Sequence, residues 1–345
     1  MLRLSDAQTP QWRMTVRRLA PALCCLLMLS ACATPAVKKQ MLIPAPAAEV
    51  ARLTRLRVAG FDNDGSGQVR AAVESALASI VIDGKPYFTL IGANAPSTGL
   101  GKPMQWIDTS KAKGQPIRYG AEGLVQGSVE QNGWQDERYT EDRSECVAED
   151  ARGRCVRTRN LHVQCIRRVA QFSFTPRVVQ KDTGQVLMSQ EFSEAGQSSA
   201  CRDQGTPASG ANLLASARAK AIARFKNHVA PHYVTMDIPL LTEDDSGMSA
   251  QTKVLVSGGV DFAQAGQTGK ACQVWRSAAR SHGAGFALPY LSGVCAELED
   301  DLDQAENLYS QAEKRAGRPV PEITAALARL KSTRANLDRL EQQLK

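Results

Sequence analysis

Aromatic residues are scarce in this sequence, 5% of its 345 positions. A surface that stacks bases needs rings, so the scarcity tells against nucleic-acid binding. The four histidines, His162, His228, His232 and His282, are scattered, and no Cys-x-x-Cys pair exists. Zinc, which wants closely spaced Cys and His ligands, therefore has little to hold it. His228 and His232 are four apart in "HVAPH", but Pro231 interrupts the helix that would put them on one face. They read as helix-end residues, where an imidazole suits the dipole. Gly-x-Ser-x-Gly, the phosphate loop and His-Glu-x-x-His are all missing. The reading is of a non-enzyme with no cofactor. Long apolar runs are missing too: the one within "MTVRRLAPALCCLLMLSAC" is too short to span a bilayer.

That run suits an export signal instead. Arg17 and Arg18 start it, and small residues precede Cys32. Met14 serves as well as Met1 for a start. "LSAC", Leu29 to Cys32, resembles the bacterial lipobox. The resemblance implies cleavage before Cys32, leaving residues 1–31 as signal peptide and Cys32 as the lipidated residue. Ala33 after it, where inner-membrane lipoproteins carry Asp, favours a lipid anchor in the outer membrane, facing the periplasm. Loss of four Arg and one Asp with the signal takes the formal charge from +7 to +4. That is too mild to imply a polyanion partner, so no nucleic acid is expected.

Six cysteines remain: Cys146, Cys155, Cys165, Cys201, Cys272 and Cys295. An even number in an oxidising compartment suggests three disulfides, with zinc the competing reading. Cys165 and Cys201 each lie eighteen residues from Thr183. If strands pair symmetrically about that turn, the two face each other, unless Pro176 adds a bulge and shifts the register. Cys146 and Cys155 would close a small loop in a charged segment.

Residues 32–51, rich in Ala and Pro, read as a flexible tether. Strand and helix signals then alternate. "TRLRVAGF" alternates like a strand; "QVRAAVESALASI" puts Val69, Val73, Ala76, Leu77 and Ile80 on one helical face. "KPYFTLIG" and "AEGLVQGSVE" read as further strands. Two strand-like runs flank Asp182-Thr183-Gly184, a turn tripeptide. "GANLLASARAKAIARFKNHV" reads as a helix stopped by Pro231.

The order "VAGFDNDGSGQVRAAVESAL", "GAEGLVQGSVE", "VVQKDTGQVL" and a closing helix resembles the CsgG-like family of envelope lipoproteins. That family holds the curli secretion lipoprotein and peptidoglycan-synthase activators of the LpoB kind. The resemblance implies an α/β (α+β) domain over residues 52–238, a mixed sheet packed by helices. It also implies protein partners in an envelope assembly and possible homo-oligomers. The pore-forming member inserts lipid-facing hairpins; here the matching segments are charged or short and polar, so no pore is expected. Asp62, Asp64 and Ser66 also fall where a calcium loop puts ligands. Its twelfth position, however, is Val73 rather than Glu. A strand-to-helix turn capped by Asp64 or Ser66 explains the same residues.

After a polar linker, residues 239–251, the chain reads as all-α. At a shift of 34, Gly259 meets Gly293, Val260 Val294, Ala271 Ala305, Trp275 Tyr309 and Ala278 Ala312. Thirty-four is the tetratricopeptide period, so residues 252–319 read as two degenerate repeats. Cys272 and Cys295 would lie on neighbouring helices, where a disulfide fits. Residues 320–345 read as a capping helix with a stripe of Ile323, Leu327, Leu330, Leu337, Leu340 and Leu344, broken at Arg334. Trp275, Tyr309, Arg152, Arg154 and Arg157 are the partner-binding candidates. The functional expectation is a lipid-anchored periplasmic adaptor supporting an envelope assembly or secretion machine. Activation of a peptidoglycan synthase and a calcium-dependent binding module are the alternatives.

Overall fold

The structure is a computed structural model and describes residues 34–92, 122–281 and 285–344. The signal segment, Cys32 and His282 lie outside the described residues. The chain is mixed α/β and divides into two units. An α/β unit comprises residues 40–234 and 332–345; a helical unit comprises residues 235–331 with the chain up to Lys39.

The α/β unit starts with α1 (Ala48–Ala51), β2 (Arg55–Asp62) and α2 (Gln68–Ala78), then short strands β3 (Val81–Ile82), β4 (Lys85–Pro86) and β5 (Thr89–Leu90). "KPYFTLIG" thus breaks into two short strands rather than one. Two very long strands follow, β6 (Gly123–Glu149) and β7 (Cys155–Gln180), then β8 (Val186–Ser189), β9 (Phe192–Cys201) and α3 (Gly210–Val229). The sheet order is β5-β2-β6-β7-β8, with β9 also on β7; β2 runs parallel to β5 and β6, and the other pairs are antiparallel.

Leu56 and Val58 of β2 point into the core, but the next inward residue is Phe61, because the register with β6 shifts between Val58 and Phe61. The bulge reverses the alternation there. Helix α2 buries Val69, Val73 and Leu77; α3 buries Ala217, Ala221, Ile222, Phe225 and Val229. At the centre, the Phe174 ring meets Phe61, Phe172, Phe192 and Phe225 at centroid distances of 5.5–6.0 Å. Tilted and edge-on rings add to the hydrophobic gain of that cluster.

The helical unit is built from α4 (Ala250–Gln264), α5 (Thr268–Ser281), α6 (Ala287–Leu298), α7 (Leu302–Ala316) and the first half of α8 (Pro321–Leu344). Ser249 caps α4 through the N–H of Thr252, and Asp301 caps α7 through that of Gln304. Helix α6 is buried from Ala287 to Glu297. Its two ends are held by charges of the sign its dipole favours. Asp244 accepts from the N–H groups of Phe286 (2.7 Å) and Ala287 (2.8 Å) at the start. Lys39 donates to the carbonyl of Glu297 and to Asp300 (2.7 Å) at the end.

Those contacts correct two boundaries. The expected tether is folded from Ala36 onward: β1 (Ala36–Ile43) pairs with β10 (His232–Pro239), and Val37 joins the helical core. Nor is 239–251 a detached linker, since Leu240, Leu241 and Met248 are buried in that same core. In α8, Ile323, Ala326, Leu330, Thr333, Leu340 and Gln343 are buried, whereas Leu337 and Leu344 are half exposed. The inward face therefore departs from the leucine stripe, and Gln343 turns in because its amide exchanges two hydrogen bonds with the backbone of Ala45, each 2.9 Å.

Candidate interaction ribbon

Beyond Ser128, β6 pairs with no further strand on its outer side among the described residues; β7 keeps β9 as far as Cys165. The end of β6, residues 139–149, and the start of β7, residues 155–164, therefore form a two-stranded ribbon. At about 3.3 Å per residue it extends on the order of 35 Å.

No apolar face drives this pairing; nearly every residue along it is exposed. Polar partners across the register do so instead. Asp136 faces Arg168 (2.7 Å) and Glu137 faces Arg167 through paired guanidinium bonds. Gln164 donates to Thr140 at 2.9 Å, Asp142 meets His162, Ser144 meets Asn160 at 3.2 Å, and Arg159 bonds Glu145 at 2.7 Å. In the charged pairs the acid sits on β6 and the base on β7, so a slip by one residue breaks several pairs together. The Arg168 guanidinium holds the Asp136 carboxyl below the usual carboxylate range, and that of Arg143 does the same for Glu141. Exposed charge along an open edge also discourages edge-to-edge association.

Two disulfides fasten the ribbon. Cys165 and Cys201 are direct register partners with Cα atoms 3.9 Å apart. The symmetry about Thr183 holds past Pro176: Arg177 pairs with Ser189 and Phe174 with Phe192. Cys146–Cys155 closes the tip, with Cα atoms 5.7 Å apart. Between them Asp150 organises the turn, accepting from the N–H of Arg152 (2.8 Å) and Arg154 (3.0 Å) and pairing with the Arg154 guanidinium. These bonds, the Arg154 N–H foremost, hold its carboxyl below the ordinary range. Arg152, Arg154 and Arg157 are exposed at the tip. Residues 139–165 carry five acidic and five basic side chains, so the ribbon offers a polyanion no net field.

At the root, Trp134 is half exposed, carries the Arg168 guanidinium over its ring at 4.9 Å, and rests on Gly210 at the start of α3. Sequence reasoning did not single it out. A lone tryptophan in a charged run gave the only signal.

Other candidates fall elsewhere. Trp275 and Tyr309 are fully buried, so they are core residues and not partner contacts. Trp275 packs on Gly259 and donates to the carbonyl of Val256 (3.2 Å); Tyr309 packs on Gly293 and donates to Glu297 (2.7 Å). The glycine–aromatic contact recurs at the 34-residue shift. Arg329 grips the same Glu297 carboxylate at 2.7 and 2.8 Å, which raises its own pKa even though burial works the other way. Cys272 and Cys295 are joined, α5 to α6, with Cα atoms 5.7 Å apart.

In the acidic turn, Asp64 accepts from the N–H of Arg70 at 2.9 Å and so caps α2, with Gly67 in the left-handed region at φ 68°. Its carboxylate serves the helix. Asp62 and Asp64 join no cluster of His, Cys, Asp or Glu ligand atoms among the described residues. Glu141, Cys165 and Cys201 do bring a carboxylate and two sulfurs within 4.8 Å. Those sulfurs are bonded to each other and offer no thiolate. His228 ends α3 against the Phe192 ring, centroids 5.6 Å apart, and burial lowers its pKa; His232 begins β10.

No family model matches the chain, and no curated protein matches it. Among solved structures it is similar to a PelC dodecamer from Paraburkholderia phytofirmans, at 13% identity and TM-score 0.24, over 55% of this chain and 97% of that one. A single-substitution variant of that dodecamer gives 14% identity and TM-score 0.25, over 56% and 96%. A likeness this low carries no argument about function.

Proposed function

We propose that the protein is a lipid-anchored adaptor of the outer membrane, facing the periplasm and working through contacts with other proteins rather than by catalysis. The observation that carries the compartment is the cysteine set. A lipobox-like motif ends at Cys32, and the six cysteines that follow it form three pairs. Disulfides persist in oxidising compartments, where such a motif would send the chain. On this reading the α/β unit is CsgG-like and the two helical pairs, α4/α5 and α6/α7, are degenerate tetratricopeptide repeats. The recurrent glycine–aromatic contact supports the second assignment, because small residues let the helices of such a unit approach closely. The ribbon supplies a rigid polar arm and the repeats a second surface for protein partners.

Metabolic labelling with a radioactive fatty acid, on the wild type and on Cys32→Ser, tests the anchor. Label on the wild type alone is expected; equal label on both overturns it. Crosslinking in intact cells followed by pull-down then names the partner. Recovery of an envelope assembly protein supports the adaptor reading. A peptidoglycan synthase as the main partner favours the narrower alternative.

A further inference from the structure

The folded chain begins much closer to Cys32 than an Ala- and Pro-rich start suggests. The Pro35 carbonyl accepts the N–H of Leu240 at 2.7 Å, and β1 starts at the next residue. Val37 is buried in the helical core, 4% exposed. Lys39 is locked onto the end of α6. None of these residues is free to serve as tether without breaking a hydrogen bond, exposing a core side chain or uncapping a buried helix. What remains between the anchor residue and the fixed backbone is Ala33 and Thr34. Three peptide steps span at most about 10–11 Å when fully extended.

We propose, resting on the lipoprotein reading above, that the helical unit rides directly on the bilayer, with the chain at Thr34 and Pro35, just ahead of β1, against the lipid headgroups. The headgroup zone is itself several ångströms deep on each side of the hydrocarbon. A reach of about 10 Å is therefore used up in clearing it. Lys38 lies three residues from Pro35 and is exposed, paired with exposed Asp237 at 2.8 Å. A cation–anion pair of that kind suits a zwitterionic surface better than a hydrocarbon one. A partner must then come to the membrane surface; this protein does not extend toward a distant one on a leash.

The test uses the full chain, processed in cells with its own signal and purified into vesicles of phosphatidylethanolamine and phosphatidylglycerol. A fluorescent amino acid replaces Lys38, and headgroup-labelled lipid accepts energy transfer from it. A second variant carries twenty Gly/Ser residues inserted between Ala33 and Thr34. Mass spectrometry of the N-terminal peptide comes first. An unmodified Cys32 overturns the lipoprotein reading, and this inference with it. With Cys32 acylated, strong transfer in the native tether and a loss of several-fold on insertion are expected. Equal transfer in the two variants overturns the inference alone, leaving the anchor in place.

Discussion

At the scale of single residues, close approach decides more than conformational freedom does. Gly127 sits where a Cβ would run into the carbonyl of Thr175 and the Cα of Pro176, both backbone. Backbone cannot turn aside as a side chain can, so Gly127→Ala should destabilise the α/β unit by about 2 kcal/mol or more. Gly293 is tight for another reason: a Cβ there would lie 2.7 Å from the Tyr309 ring. Gly293→Ala should cost about 1–3 kcal/mol, read as a lower urea midpoint. Asp244 is the residue whose role pH exposes. Burial pushes its carboxyl up, but bonds from the Ser246 hydroxyl and from the N–H groups of Ala287, Ser246 and Phe286 outweigh it, and the net shift is downward. A depressed folded pKa means a contribution that is complete above the unfolded value of about 3.9 and fades as pH falls through the folded one. Asp244→Asn should therefore cost about 1–2 kcal/mol at pH 7, and the gap to wild type should narrow as pH falls below about 4. Urea unfolding of both proteins across that range measures it.

At the scale of elements, the ribbon and the last helix mark how far the sequence could be read. Strand pairing about Thr183 was legible because a turn tripeptide fixes register by counting, and the Cys165–Cys201 pair follows from it. The extension of β6 and β7 into one continuous ribbon was not, since no apolar alternation marks it; its signal is acids on one strand against bases on the other. Helix α8 failed in the opposite way. Leu337 looked inward by periodicity, yet Ala326, Thr333 and Gln343 took the buried face. Which residue is inside depended on Ala45, 298 residues away from Gln343 in sequence, and no local pattern carries that. The ribbon also has its own stability. With two strands and no apolar face it opens more readily than the sheet. Replacing Cys146 and Cys155 together with Ser should leave the urea midpoint of the α/β unit unchanged while hydrogen exchange speeds up across residues 139–164. Replacing Cys165 and Cys201, whose bridge closes a separation of 36 residues, should cost the α/β unit about 2–4 kcal/mol.

At the scale of the molecule, the decisive feature is that the chain has two cores with no residue in common. One is built around Phe172, Phe174 and Phe225; the other around Trp275, Tyr290 and Tyr309. The class of fold was legible because strand alternation gives way to helical spacing after Pro239. The division itself was less so, because Val37 and Lys39 near the start complete the core at the far end. Separate cores imply separate cooperative transitions, and a single unfolding free energy is then the wrong description. Calorimetry should resolve two transitions. Gly127→Ala should lower only one and Gly293→Ala only the other, because each glycine lies in one core's neighbourhood and sites with no shared partners act additively. About 2 kcal/mol or more in a unit of roughly 200 residues should lower its transition by about 4–8 °C or more for Gly127→Ala, and about 1–3 kcal/mol in a unit of roughly 100 by about 4–24 °C for Gly293→Ala. If either substitution moved both transitions by the same amount, the two cores would be one cooperative body.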